Sequence, residues 1–195
     1  MVRRACALIA ALLVAAPVLA DGTVRPADRA RLAEVDATFG RAVKQALMEG
    51  APGDVSLLVE ALRGAPALLD PEGDWNCRIL KLGGQLALNI YADFRCRITA
   101  TGSMVWQIEK LSGSQRFIGE IRLTGSELQY LGVGFVDGGP AVTYAGLPPD
   151  DQTAVWPGQT HAQVGFFEQA GDDRARLILP SPLLESDLNI VYFTR

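Results

Sequence analysis

The sequence predicts a mainly β protein, in which eight or nine short antiparallel strands form a meander that closes as a small barrel behind an N-terminal helical hairpin. The three- and four-residue spacing of apolar side chains ends near residue 72, and alternation of apolar and polar side chains follows. Glycine-rich turn signals separate the alternating runs. We therefore expect the helical hairpin at 21–70 and the β domain at 71–195, with a sandwich as the alternative closure.

The first twenty residues predict a secretory signal peptide. Arg3 and Arg4 precede the apolar run ALIAALLVAAPV, and Val18 and Ala20 are the small residues before a cut after Ala20. The run is shorter than the ~20 residues that span a bilayer, which favours cleavage over a membrane anchor. We therefore expect a periplasmic or secreted protein that keeps no membrane span once the signal is removed.

The expected mature chain is acidic. Without Arg3 and Arg4 it keeps 16 basic and 22 acidic residues, a net charge of −6. An acidic chain without a basic run binds nucleic acid or an anionic membrane surface poorly, so neither partner is expected. Arginine outnumbers lysine 15 to 3, which is typical of a GC-rich bacterial gene and favours the periplasm.

Residues 21–70 predict two helices. Pro26 suits a first helical turn, and Gly50 ends the helix. Asp54 is the predicted N-cap of a second, short helix that ends at Gly64. The apolar stripe of the first helix is too small for an independent fold, so we expect it to pack on the β domain. Its members are Leu32, Val35, Phe39, Val43, Ala46 and Leu47.

Period-two alternation predicts the strands. The predicted runs are 75–79, 94–98, 104–109, 116–123, 127–136, 141–146, 163–170, 175–179 and 187–194. Nearly every connection between them is short enough for a hairpin, which favours a barrel over a sandwich. The loop at 147–162 is the long exception.

Two cysteines stand in the same six-residue frame, DWNCRI at 74–79 and DFRCRI at 93–98. In each frame the aromatic residue, the cysteine and the isoleucine share one strand face. If that face is the core, Cys77 and Cys96 are buried together, and export predicts a disulfide between them. Closing a loop of ~20 residues stabilises the fold by about 3 kcal/mol in the chain-entropy model.

The expected disulfide raises a question of register. A simple hairpin that turns at Gly83 and Gly84 does not bring Cys77 opposite Cys96. We therefore expect the segment QLALNIYA to bulge or add a strand, or the bond to link strands that are not tightly paired. Free thiols and a metal site are the weaker alternatives. Two cysteines and the distant His161 do not make a tetrahedral metal site.

The sequence contains no complete catalytic motif. It has no G-x-S-x-G elbow, and the one histidine, His161, is expected to be an exposed loop residue rather than a base. Asp150 and Asp151 are expected to form a solvated turn; a calcium site is the alternative, although the usual loop pattern is missing. No G-x-G-x-x-G follows a strand. We expect no catalytic residue, no metal and no cofactor, and we disfavour an enzyme without excluding one.

Four aromatic residues are candidates for binding. Trp75, Trp106 and Phe117 share the apolar phase of their strands, so they belong either to the core or to the floor of a barrel cavity. Trp156 stands beside Pro157 in the long loop. It either packs back onto the barrel rim or contacts a partner.

A charged patch is expected on the hairpin at 104–123. Lys110, Arg116 and Glu120 stand there with Glu109 and Arg122, and their charges alternate in sign. An outward ladder of salt bridges is the expected structure. A polar patch that binds a partner is the alternative.

Several segments resemble a family of exported proteobacterial proteins that is known only as a domain of unknown function. They are GDWNCRILKLGG, FRCRI, EKLSGSQRFIGE, QVGFFEQ and RLILPSPLLESDLNIVYF, and the resemblance runs from about residue 30 to the end. It implies a secreted bacterial protein and supplies no activity. The G-x-W-x-C opening, the second cysteine and the strand with a tryptophan also look like the bacterial metalloprotease inhibitors that have a lipocalin-like barrel.

These observations favour a non-catalytic module that binds a small apolar ligand or a periplasmic protein. A structural envelope protein is the first alternative, and an enzyme that uses carboxylates without histidine is the second. A cavity that contains a perturbed carboxylate would favour the enzyme. A cavity without ionisable groups would favour binding, and a packed interior would favour protein contact through Trp156.

Overall fold

The computed structural model describes residues 23–139, 142–150 and 160–195, and the predicted signal peptide lies outside these ranges. Three helices precede eight strands. The helices are α1 (Pro26–Ala33), α2 (Val35–Glu49) and α3 (Pro52–Leu62). The strands are β1 (Gly73–Leu82), β2 (Leu88–Gly102), β3 (Val105–Lys110), β4 (Gln115–Thr124), β5 (Glu127–Val136), β6 (His161–Gly171), β7 (Arg174–Pro180) and β8 (Leu188–Thr194).

The strands form a closed antiparallel barrel. Each strand pairs with the next along the chain, and β8 pairs with β1 to complete the ring. The predicted meander barrel is therefore confirmed, with eight strands. Alternation sends every second side chain into the interior, where one apolar cluster fills the barrel. Its largest members are Trp75, Trp106, Phe117, Tyr130, Phe167 and Phe193.

One predicted strand is wrong. Residues 144–146 form a short 3-10 turn between β5 and β6 instead of part of a ninth strand. The side chain of Tyr144 is buried against α1, where its hydroxyl donates to Asp28 at 2.8 Å. That contact lies 116 residues away along the chain, so the local alternation could not indicate it.

The helical part also differs from its prediction. The predicted first helix is interrupted at Glu34, whose backbone dihedrals (φ −99°, ψ 12°) end α1 and begin α2. Asp54 is not the N-cap of the last helix. Ala51 is the cap and Pro52 opens the first turn, where a proline loses no hydrogen bond. As expected, the helices pack on the barrel; their apolar side chains cover the outer faces of β1, β7 and β8.

The Cys77–Cys96 disulfide is confirmed, and it lies inside the barrel. The Cα atoms are 5.9 Å apart, and both residues are buried. Cys77 pairs directly with Phe94 and Trp75 pairs with Cys96, so the bond crosses β1 and β2 diagonally. A register shift between Arg78 and Leu80 makes this possible. The expected bulge in the segment QLALNIYA is therefore confirmed: Tyr91 and Ala92 of β2 both lie opposite Ile79 of β1, and the turn between the strands extends to residue 87.

A buried charge network fastens α1 to the barrel. The carboxylate of Asp28 accepts hydrogen bonds from Arg25 and Arg31, each at 2.8 Å, and from Tyr144. Arg31 also donates to the carbonyl of Ala162 at the start of β6. Burial alone would raise the pKa of Asp28, but the hydrogen bonds and the nearby arginine charges outweigh it and lower the pKa.

Candidate functional site

The two ends of the barrel differ in how they are filled. At one end, the indole nitrogen of Trp75 donates to the carbonyl of Pro71 at 2.9 Å, and that of Trp106 donates to Asp70 at 3.1 Å. Both side chains are buried in the core cluster. Trp75 and Trp106 therefore close this end beneath the segment that enters β1.

The opposite end holds a cavity of about 220 Å³, here called the mouth cavity. It lies at the end of the barrel where β1, β3 and β7 end and β4, β6 and β8 begin, and Phe117 is the one described aromatic binding candidate that lines it. Its apolar wall includes Ile79, Phe94, Phe117, Leu179 and Val191. Polar side chains surround that wall, among them Lys81, Lys110, Arg116, His161, Gln163 and Asn189.

The alternation of the strands produces this distribution. On β1 the inward positions run from Trp75 and Cys77 to Ile79 and Lys81, and on β3 they end with Lys110. On these two strands the inward residue thus changes from apolar to charged as the strand approaches the mouth. The cavity therefore has an apolar wall within a cationic entrance.

Lys110 is the most unusual of these residues, because its side chain is only 3% exposed. Its ammonium donates to the carbonyls of Ser112 and Gln115 at 2.8 and 2.6 Å and lies 3.6 Å from the centroid of the Phe94 ring. It makes no salt bridge with any residue that the structure describes. Burial, assisted by the charge of Arg116, lowers the pKa of Lys110 to about 8.

The predicted outward ladder is wrong for Lys110, which shares the inward phase of Trp106. Glu120 does lie on the outer wall, where it pairs with Arg122 at 2.7 Å. Arg116 lies at the rim and pairs with Asp137 at 3.2 Å. The charged patch expected from the sequence is therefore divided between the mouth cavity and the outer wall.

The carboxylates that pair with mouth cations lie outside the cavity. Glu185, the partner of Lys81, and Asp137, the partner of Arg116, have side chains 54% and 63% exposed. No aspartate or glutamate occurs among the described residues that line the cavity. The titratable groups in the cavity wall are thus basic residues, histidine and tyrosine.

His161 is not the exposed loop residue that the sequence predicted. It begins β6, points into the mouth cavity and is 8% exposed. Gly134 lies opposite it on β5, and a Cβ on that glycine would come within 2.6 Å of the His161 ring. A long contact of 3.4 Å joins His161 to Gln163, whose buried side-chain oxygen accepts no hydrogen bond from any residue that the structure describes.

The remaining candidates lie elsewhere. Trp156 and Asp151 fall outside the described residues, and Asp150 is exposed. Trp156 therefore stays a prediction. Across 23–139, 142–150 and 160–195, no group of three or more His, Cys, Asp or Glu residues is arranged to hold a metal ion.

Sequence could have revealed part of this site. Lys110 follows Trp106 and Ile108 at two-residue steps, which already indicates an inward position. The burial of His161 depends on its pairing with Gly134 across the β5–β6 connection, which no local pattern indicates.

None of the helices formed by the described residues is long and apolar enough to cross a membrane.

Comparisons with known proteins bear on the family and not on the site. No curated protein and no solved structure was found to match the chain. A family model described as "Domain of unknown function (DUF4893)" matches residues 21–193, which is nearly all of the chain that follows the predicted signal. The protein therefore belongs to the DUF4893 family.

Proposed function

We propose that this protein is an exported, non-catalytic binding module that holds a small ligand in the mouth cavity. The observation that carries the proposal is the cavity itself, which combines an apolar wall with converging polar side chains at one end of an otherwise packed barrel. Small-molecule sites commonly have this combination and often lie at the mouths of β-barrels.

Two features support export. The N-terminal pattern of the sequence is that of a secretory signal. The Cys77–Cys96 disulfide is of the kind that forms and persists in oxidising compartments. The periplasm or the cell exterior satisfies both.

The chemistry of the cavity favours binding over catalysis. An enzyme that relied on carboxylates would need one at the reacting centre, within hydrogen-bond reach of its substrate. The described lining residues include none. Lysine, arginine and amide side chains can bind and orient a ligand without reacting with it.

The cavity also argues against a purely structural barrel. Polar side chains are costly to bury without full hydrogen bonding. A barrel that only needed packing would fill this end with apolar side chains, as Trp75 and Trp106 fill the other. The buried ammonium of Lys110, and the side-chain oxygen of Gln163 that accepts no hydrogen bond from a described residue, are better explained by a ligand.

Native mass spectrometry of the mature protein, purified from the compartment to which it is exported, tests the proposal. We expect a bound species that is lost in Leu179→Phe, because the larger ring projects into the cavity. Gln107→Phe adds comparable bulk on the exposed outer face of β3 and should keep the bound species. Thermal unfolding of both variants establishes that they fold.

The proposal fails if the native protein carries no bound species and no small molecule from a chemically diverse set raises its melting temperature. It also fails if Leu179→Phe folds and binds as the native protein does, because the ligand would then lie elsewhere.

A further inference from the structure

We infer that the ligand of the mouth cavity is a small organic anion whose apolar end packs against the barrel wall and whose charged group lies among Lys110, Lys81 and Arg116. This inference rests on the proposed function and specifies the chemical class of its ligand. Charge, desolvation and size support it separately.

The first support is the sign of the charge. The strands β1, β3 and β4 each contribute one cationic side chain to the cavity, namely Lys81, Lys110 and Arg116, and no described lining residue is acidic. The partners of Lys81 and Arg116 are more than half exposed on the outer rim, where water screens them. Clefts lined by one sign of charge concentrate ligands of the opposite sign.

The second support is the buried ammonium of Lys110. Lysine is almost never fully buried unless it is paired. Here two carbonyl dipoles and the Phe94 ring are its partners, and no carboxylate is within ion-pair distance among the described residues. Its pKa is lowered to about 8 for the same reason, because these contacts do not fully replace the hydration that the ammonium loses on burial. An anion in the cavity would supply the missing charge where the dielectric is low and the attraction strong.

The third support is the shape and size of the cavity. Its inner wall is aliphatic and aromatic, formed by Ile79, Phe117, Leu179 and Val191, so it suits an apolar tail. Its volume of about 220 Å³ corresponds to roughly seven water molecules and lies below the ~300–1,000 Å³ of sites for drug-sized ligands. A carboxylate with a short hydrocarbon chain matches both properties.

A purely structural role for Lys110 is the alternative. Its two carbonyl contacts span the β3–β4 turn, so the residue could serve only to hold that turn. The two roles differ in what they require. If Lys110 only holds the turn, its loss weakens the binding of every ligand equally. If Lys110 recognises charge, the protein binds an anion more tightly than a neutral molecule of the same length.

Titration calorimetry of the mature, disulfide-bonded protein separates these roles. The probes are hexanoate, its neutral counterpart hexanamide and its cationic counterpart hexylamine. We expect hexanoate to bind about tenfold or more tightly than hexanamide, as a charge-assisted contact provides, and hexylamine not to bind. Lys110→Met should abolish the preference for hexanoate, while Lys110→Arg should keep most of it.

Arg122→Gln is the matched control. It removes a cation from the same β3–β4 hairpin, but from the outer wall, so the preference for hexanoate should not change. If Lys110→Met does not fold, the comparison of the three probes on the native protein and on Lys110→Arg still decides the inference.

Each outcome has a defined meaning. Equal binding of hexanoate and hexanamide, or stronger binding of hexylamine, overturns the anion inference while leaving a ligand-binding cavity. An equal loss of preference in Arg122→Gln and Lys110→Met overturns the assignment to the mouth cations. If no probe binds and the native protein carries no bound species, the proposed function itself fails. A bound species that is neutral or cationic overturns the anion inference alone.

Discussion

At the scale of single residues, Lys110 is the most informative position. Lys110 is the last of the inward-facing residues of β3, so the two-residue period of the strand predicts its position. The sequence does not indicate an acidic residue that pairs with its charge. The sequence predicted the opposite orientation because alternation of charge along the hairpin suggested a ladder. Strand phase proved the stronger signal, because it is set by the pleat of the backbone.

Lys110 predicts a pH dependence of stability. Its pKa is about 8 in the folded protein against an ordinary 10.5, so the unfolded chain binds more protons between these values. Its ammonium destabilises the fold below pH 8, and this penalty disappears as the pH rises toward 10.5. We expect the unfolding free energy of the native protein, relative to Lys110→Met, to increase from pH 7.5 to 10. Urea titrations measure it.

Comparison with Lys110→Met removes the contributions of other groups that titrate in this range. Tyr144 and Tyr192, whose pKa values burial raises, are present in both proteins and cancel. A difference in unfolding free energy that stays constant with pH would contradict the prediction.

Gly119 predicts a second effect at this scale. A Cβ on Gly119 would lie 2.4 Å from the ring of Tyr130 and 2.7 Å from backbone atoms of β5, so the barrel wall would have to move. We expect Gly119→Ala to lower the unfolding free energy by about 1–3 kcal/mol, as overpacking does. Gly40→Ala is the control. Nothing lies within 4 Å of its added Cβ, and alanine in a helix should stabilise by about 0.5–1 kcal/mol. A loss in Gly40→Ala equal to that in Gly119→Ala would contradict this account.

At the scale of elements, α1 shows the limit of sequence reasoning. Pro26 correctly indicated where the helix begins, because its ring suits the first turn. The interruption at Glu34 and the buried network around Asp28 could not be predicted, since both depend on contacts with the β5–β6 connection and β6. The strands were easier to predict than the helices, because each carries its own alternation.

Asp28 holds α1 in place, which predicts a specific loss on Asp28→Asn. The amide keeps the shape but removes the buried negative charge that Arg25 and Arg31 both contact. Removing one member of a buried charge network typically costs about 3–5 kcal/mol. We expect an unfolding free energy lower by that order, and faster amide hydrogen exchange in α1 than in the barrel strands.

Asp36→Asn is the control for this prediction. Asp36 occupies the first turn of α2 and is exposed, so its loss should cost about 0.3–1 kcal/mol through the helix dipole. Equal effects of the two variants would show that the buried network contributes nothing of its own.

At the scale of the whole molecule, the barrel and its disulfide could both be predicted because local patterns determine them. Short connections indicated a meander, and the repeated cysteine frame indicated a shared interior face. The sequence did not locate the mouth cavity, because locating it requires knowing which strand ends lie next to one another. That follows from the strand register, and the bulge in β2 shows how one extra residue changes the register.

The disulfide predicts a measurable contribution to stability. Cys77 and Cys96 are 19 residues apart, and a loop of this size stabilises by about 3 kcal/mol in the chain-entropy model. We expect the double variant Cys77→Ala, Cys96→Ala to unfold at lower urea concentration. Native protein refolded in reductant should lose a similar amount, which separates the cross-link from the packing of the sulfurs. An unchanged midpoint in both would contradict the prediction.

The pairing of β8 with β1 closes the ring by joining the first described strand of the chain to the last. Residues 76–82 can pair with their second neighbour only when residues 188–194 are also present in the compartment where the chain folds. Until then, both margins of the growing sheet expose unpaired amides and carbonyls that invite association with other chains. We therefore expect the closure of the ring to be a slow step of folding, because contacts between residues far apart in sequence form more slowly than local ones.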